Sequence, residues 1–236
     1  MKKEISKLVI ALDGPAGAGK STVARLVAER FGLTYIDTGA MYRAVTWLAL
    51  RHKLNMPNQQ AELMGLLLDA EIKLLPAEKR SDSNETFQKV FLNEQEITEQ
   101  IRTPEITQSV SIISAIPEVR EHLVKLQQRM GAAGGVILDG RDIGSTVFPK
   151  ADLKVFLVAS SQERALRRQK QLMSLNIDCK LQDIQNDIEK RDYLDYSRKV
   201  SPLRQAKDAI LVDTDNLSID EVVNQISHLI EDLTCS

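Results

Sequence analysis

One strand-to-helix junction near the N-terminus constrains this chain more than any other feature. The apolar run Leu8-Val9-Ile10-Ala11-Leu12 is followed by Gly14-Pro15-Ala16-Gly17-Ala18-Gly19-Lys20-Ser21. Helical periodicity then runs over 21–31 through Val23, Leu26, Val27 and Phe31. The loop matches G-x-x-x-x-G-K-[ST] in full, between the buried strand and the helix that such a loop requires. Its glycines let backbone N–H groups turn inward at an anion, and the helix N-terminus adds partial positive charge. Gly14, Pro15, Ala16, Gly17, Ala18, Gly19, Lys20, Ser21 and Thr22 are therefore expected around the phosphates of a nucleoside triphosphate. Lys20 should reach the β- and γ-phosphates and the Ser21 hydroxyl should ligate Mg²⁺. The alternative is a glycine-rich turn without a ligand, and the flanking strand and helix argue against it.

The rest of the chain repeats the alternation. Short apolar runs at 34–37, 136–139, 153–158 and 209–212 read as further strands, separated by longer helical patterns. One helix is expected over about 40–52, and another over 218–233, capped by Ser218 with Glu221 three residues on. Continuous apolar strands between helices predict an α/β fold, a five-stranded parallel sheet flanked by helices. A length of 236 residues suits a single domain, 1–236, able to bury roughly 70% of its unfolded surface. Between about 71 and 102 the pattern becomes polar and then alternates through Thr86-Phe87-Gln88-Lys89-Val90-Phe91-Leu92 after a Ser81-Asp82-Ser83-Asn84 turn. That stretch predicts a small antiparallel lobe inserted in the core domain. Pro104 and Pro117 each start a helix, the second ending at Met130 before Gly131.

Composition narrows the function classes. With 31 Lys+Arg against 33 Asp+Glu, the net charge of −2 excludes a broadly basic nucleic-acid binder but not a local anion site. The apolar run after the N-terminus is too short for a signal peptide, and no stretch reaches the length of a membrane span. Cys179 and Cys235 form no CxxC pair or disulfide framework, and His52, His122 and His228 are scattered. A cytoplasmic protein is expected.

A phosphate loop serves NTPase switches, motors and kinases alike, so the other charged residues must decide. Asp37-Thr38-Gly39-Ala40-Met41-Tyr42-Arg43 ends the second strand and puts a hydroxyl and an arginine at the sheet edge where ligands bind in such folds. Arg43, early in a helix, is poorly placed for the helix dipole, although a merely solvated arginine is the alternative. The third strand ends in Asp139-Gly140-Arg141-Asp142, where Asp139 is positioned to order Mg²⁺ through water. Arg141 and Asp142 would follow over the same cleft, unless this is an ordinary surface turn. Arg164, Arg167 and Arg168 lie on one helix, and Arg191, Asp195 and Arg198 at i, i+4 and i+7 share the face of another. A salt-bridged face would explain them. A mobile arginine arm that neutralises the transferring phosphoryl group, with Arg164 and Arg168 in catalytic roles beside Lys20 and Arg141, is the functional reading.

Taken together, the Gly14 to Ser21 run, the DTGAMYR segment and the DGRD segment resemble the bacterial cytidylate kinases over essentially the whole chain. The resemblance implies a transferase of the P-loop NTPase fold, with a nucleoside-monophosphate-binding lobe (about 71–102) and a helical lid (about 165–185). It further implies ATP and Mg²⁺ as donor and cofactor, and CMP or dCMP as acceptor. Pyrimidine nucleotide metabolism, a monomeric state and no nucleic-acid or membrane partner complete the expectation. Thr38 then matches a hydroxyl position near the acceptor, and Arg43 and Arg141 match arginines on its phosphate. Ser111, Arg120 and Asp142 match residues around cytosine, Arg191 and Asp195 match sugar-contacting positions, and Arg198 matches a further substrate arginine. The lobe is expected to swing when CMP binds.

The chemistry is intelligible from the residue types. Cytosine offers an N4 donor and N3 and O2 acceptors, which suit a carboxylate or hydroxyl and an arginine respectively. Uracil reverses that pattern and leaves buried polar groups unpaired. No general base is needed, since the attacking phosphate has a second pKa near ~6 and is largely ionised at neutral pH. The remaining alternatives are a kinase for another nucleoside monophosphate or shikimate, and a nucleotide-dependent switch. The Asn-Lys-x-Asp base reader of GTPase switches is not in the sequence.

Overall fold

The computed structural model describes residues 3–56, 58–76, 88–174 and 177–235. The chain divides into two compact units, one of Met1–Tyr35 with Gly131–Ser236 and the other of Ile36–Met130.

The first unit is built on the parallel sheet. Its strands are β1 (Val9–Asp13), β2 (Thr34–Asp37), β6 (Val136–Gly140), β7 (Leu153–Val158) and β8 (Ile210–Asp213), in the order β2-β6-β1-β7-β8. Buried apolar side chains of β1, β6 and β7 pack with α1 (Lys20–Phe31) and α8 (Ile219–Cys235), where Val23, Val27, Val222 and Ile226 point inward. Helix α1 stops because Gly32 adopts φ 67 and returns its N–H to the Ala28 carbonyl, which a residue with a Cβ does at a cost. Helix α8 starts on the capping box read from sequence, the Ser218 N–H and hydroxyl both donating to Glu221 at 2.8 and 2.7 Å. Helices α6 (Ser161–Ser174) and α7 (Leu181–Ser197) complete this unit.

Parallel register is what assembles a site at one sheet edge. Leu12 pairs with Asp139, Asp13 with Gly140 and Asp13 with Phe156, so the loops after β1 and β6 leave the sheet side by side. After β6 the chain makes a π-helical turn over Ile143–Val147.

The second unit has its own core. Met41, Val45 and Leu48 of α2 (Thr38–Arg51), Leu63 and Leu67 of α3 (Gln60–Leu68), Val110 and Ile113 of α4 (Pro104–Ile113), and Val119 and Leu123 of α5 (Pro117–Gly131) meet in it. Helix α2 begins two residues before the sequence estimate, because the Asp37 carboxylate caps it by accepting from Ala40 N at 2.8 Å. A three-stranded antiparallel sheet, β3 (Ile72–Leu75), β4 (Lys89–Leu92) and β5 (Gln95–Glu96), buries Ile72, Val90 and Leu92 against this core. Asn93 and Glu94, both at positive φ, make the two-residue turn between β4 and β5. The expected turn at Ser81-Asp82-Ser83-Asn84, and Thr86 and Phe87, lie outside the described residues.

Candidate active site

The phosphate loop takes the conformation its glycines permit. Gly14, Gly17 and Gly19 have φ of 148, 80 and 86°, and a Cβ on Gly14 would sit 2.1 Å from the Leu157 carbonyl oxygen. A side chain there would break the packing of the loop on β7. Lys20, the first residue of α1, is only 5% exposed and donates to the Pro15 carbonyl at 2.6 Å. Burial pulls its ammonium well below the ordinary lysine range, reinforced by Arg141 and Arg191 and opposed by Asp139 and Asp13. Ser21 is exposed at the start of the same helix. Asp139 is buried at the end of β6, where the Tyr35 hydroxyl donates to it at 3.1 Å.

Beside the loop lies a network of paired charges. Asp195 on α7, 1% exposed, accepts from Arg141 Nε at 2.8 Å and from the Arg198 guanidinium. Burial works against its charge, but Arg141 and Arg198 outweigh it and hold the carboxyl below the usual range. Burial likewise opposes the charge on Arg141, and Asp195 more than restores it. The periodicity argument put Arg198 on the helical face of α7; instead the helix ends at Ser197, and Arg198 is extended at ψ 136 while still reaching Asp195. Arg191 lies half-buried on α7, close enough to Lys20 to bear on its charge. Asp142 is buried, and its carbonyl accepts from Thr146 N and Val147 N in the π-helical turn.

The arginines of α6 differ from one another. Arg164 is buried and held on four sides: Nε to the Ala159 carbonyl at 3.0 Å, Nη1 to Ala16 O and Asp192 Oδ1 at 3.0 Å, and Nη2 to Asp192 Oδ2 at 2.6 Å. Arg167 is tied to Glu163 and Thr214. Arg168 is exposed and donates to Gln171 at 2.6 Å.

Within the second unit, Thr38 is buried in the first turn of α2, and Arg43 Nη1 donates to the Thr107 hydroxyl at 2.9 Å and the Ile101 carbonyl at 3.3 Å. Ser111 on α4 is buried, and its carbonyl accepts from the Ser114 hydroxyl at 3.2 Å. The Ser114 carbonyl in turn accepts from Arg120 Nη1 at 3.1 Å. Arg120, 2% exposed, lies over the Tyr42 ring at 5.3 Å.

Three residues were missed by the sequence reading. Asp13 accepts from the amides of Ile143 and Gly144 at 2.8 and 2.7 Å, fastening the turn after Asp142 to the start of the phosphate loop. Its place at the end of a buried strand, directly before Gly14, was a usable signal. Tyr35, which orients Asp139, carried no such mark, and neither did Asp192.

The family profile described as cytidylate kinase matches residues 10–232. A cytidylate kinase of Ligilactobacillus salivarius is 52% identical over 97% of this chain and 98% of its own length. Those of Desulforamulus reducens and Carboxydothermus hydrogenoformans are 50% and 47% identical, each over 94% of this chain and 96% of their own. With the profile matched over nearly the whole chain and relatives of this identity covered almost end to end, the chain belongs to the cytidylate kinase family.

Proposed function

We propose that this protein transfers the γ-phosphoryl group of ATP to CMP or dCMP, giving ADP and CDP or dCDP. The observation that carries the reading is the setting of Lys20. It is a buried lysine in a phosphate loop, flanked by Asp139 and by an arginine set that Asp195 holds in place. A site of this kind neutralises phosphate charge, and phosphoryl transfer requires little else beyond alignment.

Each residue then has a task. Lys20 leaves the Pro15 carbonyl for a β- or γ-phosphate oxygen, whose negative charge favours the ammonium form. Arg141, held by Asp195 and backed by Arg198, meets the acceptor phosphate, as does Arg43. Arg191 and Asp195 take the sugar. Ser111, Arg120 and Asp142 read cytosine, with Thr38 near the acceptor, and Arg168 supplies the exposed cation over the transferring group. Arg164, from its buried position, steadies the loop beneath. Ser21, exposed at the start of α1, and Asp139, with a carboxylate oriented by Tyr35, fit a hydrated Mg²⁺. When bound, that ion would neutralise part of the phosphate charge that opposes attack.

The antiparallel segment at 71–102 is proposed as the acceptor-binding lobe and 165–185 as the lid. Monomeric action in pyrimidine nucleotide metabolism is proposed on the family likeness, and a cytoplasmic location on the sparse, unclustered cysteines; no described helix is long and apolar enough to cross a membrane.

An acceptor panel tests the proposal. ATP consumption with CMP and dCMP should exceed that with UMP, AMP or shikimate. Equal rates with AMP or shikimate would assign the chain another acceptor, and equal turnover without any acceptor would make it an NTPase.

A further inference from the structure

We propose that Asp192 is a positioning residue that, through Arg164, couples the phosphate loop to the face of α7 that carries Arg191 and Asp195. The inference rests on the reading of those two residues as acceptor contacts.

Three observations carry it. First, two adjacent loop carbonyls are held by cations: Pro15 O by Lys20 at 2.6 Å and Ala16 O by Arg164 at 3.0 Å. Lys20 must release the Pro15 carbonyl to reach a phosphate, so nucleotide disturbs the peptide directly next to the one that Arg164 grips. Second, the loop sits directly on the arginine. A Cβ on Gly17 would lie 3.3 Å from Arg164 Cβ, so the glycine backbone packs closely on the arginine's stem. Third, the far side of the guanidinium is forked onto Asp192 by two hydrogen bonds of 3.0 and 2.6 Å, with side chains only 6% and 15% exposed. A sheltered bidentate pair resists reorientation and passes displacement on.

Asp192 adjoins Arg191 and precedes Asp195 by about one helical turn, so its carboxylate is fixed to the segment that presents both. The two helices are also tied near their other contact, where Ser161 donates to Glu189 at 2.8 Å and accepts from Gln185 at 3.1 Å. An ion pair that merely braces two helices would need neither the Ala16 contact nor the packing on Gly17.

Two readouts test the coupling: CMP titration with and without Mg²⁺ and a non-hydrolysable ATP analogue, and hydrogen exchange of amides 190–196 with and without that analogue. In the wild type the analogue should tighten CMP binding at least about 5-fold and slow exchange in that segment. Asp192→Asn, which loses the charged fork, should bring the CMP ratio to within about 2-fold of unity and abolish the protection. Asp192→Glu should restore part of both. Wild-type protection persisting in Asp192→Asn overturns the proposal whatever that variant loses in Tm, and so does its absence from the wild type. If CMP fails to bind while the analogue still protects α7 in an Asp192-dependent way, the acceptor assignment falls and the coupling stands. Should Asp192→Asn not fold, Arg164→Lys keeps the charge, loses the fork and carries the same comparison.

Discussion

The two units hold their candidate arginines by different means. Beside the phosphate loop, Arg141 and Arg198 share one carboxylate, Asp195, and Arg164 forks onto Asp192. In the second unit, Arg43 and Arg120 rest on a hydroxyl, on the backbone carbonyls of Ile101 and Ser114, and on the face of Tyr42. Paired charges fix a cation electrostatically and make its surroundings sensitive to pH and to loss of a partner. Carbonyls and rings fix a guanidinium by shape and hydrogen-bond direction. The first arrangement suits phosphates, whose charge is to be neutralised in a set geometry. The second suits Arg120, proposed to read the base by hydrogen-bond direction, while Arg43, held in a similar way, is proposed to meet the acceptor phosphate.

The largest test of this contrast is Lys20→Met. Turnover should fall by about 10²–10³ or more, as when a transition-state donor is lost. The ligand-free protein should be as stable as the wild type or more so, because a buried ammonium is removed and an apolar chain of similar length replaces it. Thermal unfolding and steady-state rates measured together decide it; a large loss of Tm would place Lys20 in the structural framework instead. The depressed pKa adds a second readout. Bound phosphate should raise the lysine's pKa back toward its ordinary range, so ATP binding across a pH series should differ in pH dependence between wild type and Lys20→Met.

Next in size is Asp195→Asn. Two sheltered guanidiniums lose a shared carboxylate, which should cost about 3–5 kcal/mol. Because the carboxyl titrates below its ordinary value when folded, its contribution is present above the unfolded pKa and fades as pH falls through the lowered folded one. The stability difference between wild type and variant should therefore shrink in acid, and a constant difference would remove the ion pair as its cause.

Asp13 should behave in the opposite sense. Its pKa is raised to about 6, chiefly by burial, against the two amides that favour its charge. The folded state thus holds the proton more tightly, and that stabilisation is present below the unfolded value and lost as pH rises to about 6. In the difference curve against Asp13→Asn, wild-type stability should decline across pH 4–6 and level off above it, although the amide cannot serve both N–H groups.

The second unit should give the smallest and most selective effect. Ser111→Ala should raise the KM for CMP by the value of one hydrogen bond, about 0.5–1.5 kcal/mol, with the KM for ATP unchanged. A parallel rise in both would sink its role as a base reader.

Much of this was legible in the chain. The phosphate loop, the apolar strands and the Ser218–Glu221 cap depend on neighbours within a turn or on one side of a strand, and such local patterns survive in sequence. Helix ends were harder: Asp37 extends α2 forward, and α7 stops just short of Arg198, since caps and exits depend on what surrounds them. The mobile arginine arm illustrates the limit best. Arg164, Arg167 and Arg168 look alike along the chain, yet one is buried against the loop, one is tied to Thr214 and one is exposed.

What the sequence determined alone was a phosphate-binding α/β chain and a segment set that points to one kinase family. What the tertiary structure decided was which charges meet. Asp192 finds Arg164 across 28 residues, Asp195 finds Arg141 across 54, Tyr35 finds Asp139 across 104, and Asp13 finds the Ile143 amide across 130. No periodicity encodes such pairs, because they arise from the register of parallel strands and the seating of helices. Only those long-range placements turn a list of cations and carboxylates into a site with defined charge.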